Sequence, residues 1–282
     1  SRHRRLMAHF GYQVAGFGAG GEQGITLIDV GSIDFDGSSS KIEYTNNFFR
    51  FLGGPMNTSG GSPNAQGFVS FWIKPDAITS AGSKPIMQIG THDGTPSIRL
   101  AYNYSGGGAT GMFLEAEFVG SVDEAGTRVL YTTAIGSITG NAWQHIALGI
   151  TDGNITNIFI DGASVSSFGS SGSGADTAPA DTENTVFGFD GSAYGNFCLA
   201  EVFIDGVYRN TLSDLNKFIS KVADASSPTV KPSPIGKPVR LPSDTTHYYL
   251  TGTASSWANQ GTNSLGTQTL TSITDCADSP SD

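Results

Sequence analysis

Between residues 143 and 167 the chain alternates apolar and small positions around two Asp-Gly pairs. Ile146, Leu148 and Ile150 alternate with Ala147 and Gly149, and Ile158 and Ile160 alternate with Asn157 and Phe159. Asp152-Gly153 and Asp161-Gly162 supply the positive φ that a tight turn requires. The period of two around such turns predicts three short strands. The segment GFVSFWIKPDA differs in one respect. Phe68 and Trp72 alternate with Val69, Phe71 and Ile73, so both of its faces are largely apolar. That pattern predicts an inner strand of a two-sheet sandwich.

The same signals recur along the chain. Two strands flank a turn at Asp36-Gly37, two more flank Asp93-Gly94, and another pair flanks the acidic turn Asp123-Glu124-Ala125-Gly126. Two further strands fall within NTVFGFDGSAYGNFCLAEVFIDGVY, with a tight turn at Asp205-Gly206. Turn signals at intervals of about 8–12 residues predict a β-sandwich or jelly roll. One stretch has helical spacing. Leu212, Leu215, Phe218, Ile219 and Val222 predict a short helix over residues 211–223, with Ser213 as its N-cap. The expected organisation is an N-terminal arm (1–24), a β body (25–225), a Pro-rich linker (226–246) and a C-terminal docking segment (247–282) with two short strands.

Composition agrees with that outline. Of 282 residues, 38 are Gly and only 14% are charged, which favours many short strands and turns. Aromatic residues make up 10%, enough to build a core. The formal net charge of −10 argues against nucleic acid as a partner. Arg2, Arg4 and Arg5 nevertheless cluster at the N-terminus, followed by Phe10 and Tyr12 in a Gly-rich stretch. A basic arm on an acidic body implies an acidic partner surface, with a solvated terminus as the alternative. No run of apolar residues approaches the length needed to insert in a membrane. Cys198 reads most simply as a small core residue, and a single bridge to Cys276 is the alternative.

The order of these motifs carries a resemblance. FDGSSSKIE (35–43), FVSFWIKP (68–75), WQHIAL (143–148) with IFIDG (158–162), and LAEVFI (199–204) follow one another at characteristic intervals. The series resembles the laminin-G-like, concanavalin A-like lectin/glucanase superfamily over roughly residues 25–223. The resemblance implies an all-β fold: a two-sheet antiparallel jelly-roll sandwich with one concave sheet, here with one short helix and extended N- and C-terminal arms. The C-terminal segment and the Arg- and Gly-rich arm look like flanks found in structural proteins of tailed bacteriophages.

Enzymes of this superfamily carry paired carboxylates on one strand of the concave sheet. Glu115 and Glu117 are the nearest match here, because alternation puts both on one face about 7 Å apart. The further acid of the glucanase pattern is missing, since Phe118, Val119 and Gly120 follow. His145 lacks a Ser or Cys nucleophile motif and is expected to be a surface or half-buried histidine with a structural role. No cofactor is expected. Calcium, bound by several superfamily members, would have Asp152, Asn154 and Asp190 as its nearest ligands, and turn formation is the simpler role for all three. Tyr102, Tyr104 and Tyr194 lie in Gly-rich surroundings and are the glycan-contact candidates, with core or rim packing as the alternative. The expected function is a non-enzymatic virion structural protein of a tailed phage, either a capsid decoration or a tail-associated subunit. Its partners would be other virion proteins, copies of itself and host-surface glycans. A secreted or virion-borne carbohydrate-binding module is the alternative, and a glycoside hydrolase the third reading.

Overall fold

The strands expected from alternation are present. The computed structural model describes residues 31–48, 66–78, 81–90, 97–106, 111–119, 128–151, 154–165, 168–171, 183–206, 219–222, 229–232, 247–264 and 266–280. The strands of the first half are β1 (Ile33–Asp36), β2 (Lys41–Tyr44), β3 (Gln66–Pro75), β4 (Lys84–Ile89), β5 (Ser97–Tyr104), β6 (Met112–Val119) and β7 (Arg128–Thr132). Then come β8 (Gln144–Thr151), β9 (Asn154–Ile160), β10 (Ala163–Ser164), β11 (Gly169–Ser171), β12 (Thr185–Phe187) and β13 (Asn196–Asp205). The chain closes with β14 (Ile219–Val222), β15 (Thr229–Pro232), β16 (His247–Thr251), β17 (Ala258–Asn259), β18 (Gln268–Thr271) and β19 (Thr274–Asp275). Of the strands expected from alternation, β4–β5, β6–β7, β8–β9 and β9–β10 pair as antiparallel neighbours. Among the described residues no helix is long and apolar enough to cross a membrane.

Two antiparallel sheets face each other. The first runs β10-β9-β8-β3-β13-β1-β19, with β16 also paired to β13 and carrying β17. The second runs β11-β7-β6-β5-β4-β12-β2-β18. Asp161 (φ +52) and Gly162 (φ +75) turn the chain from β9 to β10 with two successive left-handed residues, as a type I′ turn demands. The turns at Asp93-Gly94, Asp123 to Gly126 and Asp152-Gly153 lie outside the described residues. Asp36-Gly37 closes no hairpin. β1 belongs to the first sheet and β2 to the second, so this turn is an arch between sheets. The Asp36 carboxylate accepts the amides of Ser38, Ser39 and Ser40 at 2.9, 2.8 and 3.0 Å, which fixes a wider turn than a two-residue hairpin uses.

The core between the sheets is built from the inward phase of each strand. Ile33, Val69, Phe71, Ile146, Leu148 and Leu199 from the first sheet meet Ile42, Ile89, Ile98, Leu100 and Leu114 from the second. The opposite face of the first sheet is also buried. Phe68, Trp72, Ala147, Phe159, Ala200, Phe203 and Tyr249 form a second apolar cluster there, with Trp143 partly buried against it. Ile219 of β14 packs into that cluster and is 2% exposed. This explains the two apolar faces of the β3 sequence: each faces its own core.

Ile219–Val222 corrects the helix expected over residues 211–223. These four residues form β14, antiparallel to β15, and the remainder of the expected helix lies outside the described residues. Ile219 and Val222 are β-branched, which suits a strand, and the outer apolar cluster takes up the Ile219 side chain. The C-terminal segment also holds more structure than its sequence suggested, with four strands in place of two. β16 is buried along His247 to Leu250. Tyr248 stacks on Phe48 with centroids 4.3 Å apart, and the Trp257 indole N–H donates to the Tyr44 hydroxyl at 3.0 Å. Cys198 and Cys276 are joined by a disulfide across 78 residues. Of the two readings of Cys198, the bridge is the one realised.

His145 lies on the outer face of the first sheet, 1% exposed, with Nε2 3.3 Å from the Ser70 hydroxyl and its ring 5.2 Å from Trp72. Burial pushes its pKa down to about 3, so the ring is neutral in the folded protein. A buried, neutral histidine of this kind serves packing; its sequence context suggested a surface or half-buried position, and the cluster on the outer face of the sheet buries it fully.

Two consequences are measurable. If the outer cluster is a true core, Phe203→Ala will destabilise the fold by about 3–5 kcal/mol, as for any buried Phe. A urea titration with unchanged slope reads this, and a loss under about 0.5 kcal/mol would mark the face as ordinary surface. His145 adds a pH dependence. Its folded pKa lies below its unfolded value of about 6.5, so between about pH 6.5 and 3 only the unfolded chain takes up the proton. Stability is therefore full above pH 6.5 and falls as the pH drops, by up to about 1.4 kcal/mol per pH unit from this group. His145→Gln should flatten the acid limb of the urea midpoint measured at pH 7, 5 and 4, relative to the parent protein.

Candidate functional site

The outer face of the second sheet gathers the charged residues of its strands. On β5, Ile98, Leu100 and Tyr102 point into the core, so Arg99 and Asn103 point outward. On β6, Leu114 and Ala116 point inward, and Glu115 and Glu117 outward. Arg99 stands opposite Glu117 on one side and Gln88 of β4 on the other. The two glutamates thus share a face, as alternation required.

A chain of polar contacts crosses this face. Arg99 Nε and Nη2 both lie 2.9 Å from Asp190 Oδ2, in the segment between β12 and β13. Arg99 Nη2 also donates to the Ser83 hydroxyl at 2.9 Å, and Ser83 donates to Glu115 Oε2 at 2.9 Å. Asn103 Nδ2 donates to Glu115 Oε1 at 2.9 Å. Arg99 Nη1 stands 4.0 Å from Glu115 Oε2. Arg99 is 6% exposed and Asp190 4%, so this ion pair is withdrawn from water and its members depend on one another; Glu117, 1% exposed, stands opposite Arg99 on the neighbouring strand. Burial alone would raise the Asp190 carboxyl. The amides of Ala193 and Ser192, together with Arg99, outweigh that and hold it below the ordinary carboxylate value.

The arrangement fixes charge rather than offering it. Both oxygens of Glu115 accept hydrogen bonds from neighbouring side chains, and the guanidinium beside it is its counter-charge. Asp190 spends Oδ2 on Arg99 and Oδ1 on Ser192 and Ala193. The Oδ1 contacts are the turn-forming role expected of Asp190, and Oδ2 adds an ion pair with Arg99. Asp152 lies outside the described residues. Among the described residues no group of three or more His, Cys, Asp or Glu could hold a metal ion. Sequence reasoning found Glu115, Glu117 and Asp190 but not Arg99, Ser83 or Asn103. The signal for Arg99 was available, since it is the one charge in the apolar run of SIRLAY.

The aromatic candidates separate. Of its two readings Tyr102 takes core packing: it is 1% exposed, its hydroxyl donates to the Asn196 carbonyl at 2.5 Å, and its ring meets Phe197 edge-on at 6.3 Å. Strand phase places it inward with Ile98 and Leu100, away from any ligand. Tyr104 is half-buried at the end of β5 and packs partly against the same core. Tyr194 is half-buried on the loop that carries Asp190 and packs on Phe189, with centroids 4.4 Å apart. Lys41 Nζ lies 5.8 Å from the Phe189 ring centre. The arm residues Arg2, Arg4, Arg5, Phe10 and Tyr12 lie outside the described residues.

No curated protein matches the chain. Among solved structures, the enzymatically active domain of tailspike protein 2 from bacteriophage CBA120 is similar at 18% identity, over 60% of this chain and 24% of that one, with a TM-score of 0.40. Domains LG4-5 of the mouse laminin alpha1 chain match at 13% identity over 63% of this chain and 41% of that one, with a TM-score of 0.38. The receptor binding domain of botulinum neurotoxin D matches at 16% identity over 69% and 45%, with a TM-score of 0.44. The chain thus spans less than half of each of these structures. A family model described as the concanavalin A-like lectin/glucanases superfamily matches residues 57–214, more than half of the sequence. With its two antiparallel sheets and its ordered motifs, the chain belongs to the concanavalin A-like lectin/glucanases superfamily.

Proposed function

We propose that this protein is a non-enzymatic structural component of a tailed-phage virion, a capsid decoration or tail-associated subunit that displays a lectin-like jelly roll. The observation that carries the non-catalytic part is the state of Glu115. Ser83 and Asn103 each donate to one Glu115 oxygen and Arg99 stands beside it as counter-charge, which supports a structural role for this carboxylate. The virion part is supported by the basic cluster Arg2, Arg4 and Arg5 on a chain of net charge −10, and by the likeness of the flanking segments to those of phage structural proteins. A basic arm that orders on an acidic neighbour can cover a large surface, which suits assembly.

A second reading is favoured by one feature. Tyr194 and Phe189 form a half-buried aromatic pair beside Lys41, on a loop at the margin of the charged face. An aromatic platform flanked by hydrogen-bonding groups suits a sugar ring. Host-surface glycans are the ligands this reading implies, whether the module is virion-borne or secreted.

Two experiments separate these readings. Removing residues 1–21 should leave the sandwich folded and abolish incorporation into particles, measured by gradient-purified virions and circular dichroism. Unchanged incorporation would overturn the anchoring role. For the glycan reading, an array should show hits that weaken at least about tenfold in Tyr194→Ala, with a smaller loss in Tyr104→Ala. An array without hits removes that reading and leaves the first untouched.

A further inference from the structure

Residues 266–276 double the path of β1, the arch and β2 in the opposite direction. Gln268–Thr271 pair with Lys41–Tyr44 in the second sheet, and Thr274 and Asp275 pair with Ile33 and Asp34 in the first. Where the arch crosses between sheets, the Ser40 hydroxyl donates to the Ser272 carbonyl at 2.7 Å. One short segment therefore covers the last edge of both sheets at once. It contributes little apolar surface of its own. Leu270 is 38% exposed, and only Ile273 packs partly against the core.

The remaining attachments are polar, and apart from Ser32 their side chains are half-exposed or exposed. Lys74 Nζ lies 2.7 and 2.8 Å from the Asp278 carboxylate oxygens, the Ser32 hydroxyl donates to the Asp278 carbonyl at 2.6 Å, and the Ala254 amide donates to Asp275 Oδ1 at 2.6 Å. Ion pairs and hydrogen bonds open to water contribute little net stability. The one covalent attachment is of a different strength. Cys276 is bonded to Cys198, which stands near the middle of the first sheet and is 6% exposed. A bond that closes a loop of 78 residues removes much of the freedom a released tail would gain.

We infer that residues 266–276 form a redox-gated clasp, closed over the edges of β1 and β2 when Cys198 and Cys276 are bridged and released when they are reduced, with the sandwich intact in both states. The inference stands independently of the virion and glycan readings. Reduction needs a thiol reagent: a dithiol attacks the disulfide, takes both sulfurs of the protein to thiols with two electrons and two protons, and leaves as its own cyclic disulfide. Cys276, only half-buried, is the accessible sulfur. Release would uncover the main-chain donors and acceptors of β1 and β2, the kind of edge that accepts another strand.

The full-length protein tests this by amide hydrogen exchange, read by mass spectrometry. Three samples are compared: oxidised, reduced with dithiothreitol and alkylated, and Cys276→Ser, which needs no reductant. The expected result is a loss of protection between about ten- and a thousandfold across 266–276 in the second and third samples. β3 and β8 keep their protection in all three. A loss smaller than about tenfold overturns the clasp, because the polar contacts then suffice. Equal loss in β3 and β8 also overturns it, because the bridge is then a staple of the whole fold.

Discussion

Burial on both faces of the first sheet is the constraint on which this structure depends. A strand that is apolar on alternate faces needs one cover, and a strand apolar on both needs two. β3, β8 and β13 are of the second kind. The opposing sheet covers one face, and Tyr249 and Ile219 join the cluster on the other. Both come from after β13, so the C-terminal third of the chain is needed to finish what the middle begins. β13 is where this is negotiated. Its one edge is paired to β3 along its length, while its other edge is divided between β1, up to Leu199, and β16, from Val202. The division falls at a bulge between Ala200 and Phe203, where Glu201 adopts φ +47. A bulge bends its strand and increases local twist, so two partners can approach one edge at different angles. Glu201 is steadied there by the Tyr249 hydroxyl, which donates to its Oε1 at 2.5 Å.

Much of this was legible in the chain. Asp161-Gly162 turns the chain with the two positive φ values that its residue types foretell, and the strand pairs β4–β5, β6–β7 and β8–β9 follow from period-two alternation. The two-faced character of β3 could be read directly. What could not be read was which second cover it required, because Ile219 is remote in sequence and sits in a run whose spacing fits a helix equally well. Ile219 and Val222 are three apart, and only the pairing with β15 decides between the two forms. The C-terminal segment was expected to hold two short strands and holds four, for another reason. QTLT and TD are polar edge strands with hardly any apolar alternation, so their partners, not their sequence, make them strands.

The same distinction applies to the charged face. Glu115 and Glu117 were visible as a period-two acid pair, and the expectation that they share a face holds. Their chemistry depends on Ser83, Asn103 and Arg99, which come from β5 and from the residue before β4 and carry no motif of their own. Tyr102 failed as a ligand contact because Gly-rich surroundings suggest exposure, while strand phase decides it. Counting from Ile98 and Leu100 would have placed it inward.

The two outer faces of the sandwich are thus opposites, and that limits where recognition can occur. The outer face of the first sheet is filled with its own aromatic residues. The outer face of the second is polar, but Arg99, Asp190 and Glu115 on it are already matched to one another and to their neighbours. A ligand laid across Arg99 would have to replace the contacts of Asp190, Ser83 and Glu115, and separating a buried pair costs about 3–5 kcal/mol before any new contact is counted. The margin carries no such penalty. Phe189 and Tyr194 are half-buried, and the loop that bears them is held at Asp190 by Arg99 and by the amides of Ser192 and Ala193. Under the glycan reading, the matched charges act as the fixed base of that loop and the aromatic rim it supports is the contact surface, whereas the virion reading places its contacts on the N-terminal arm.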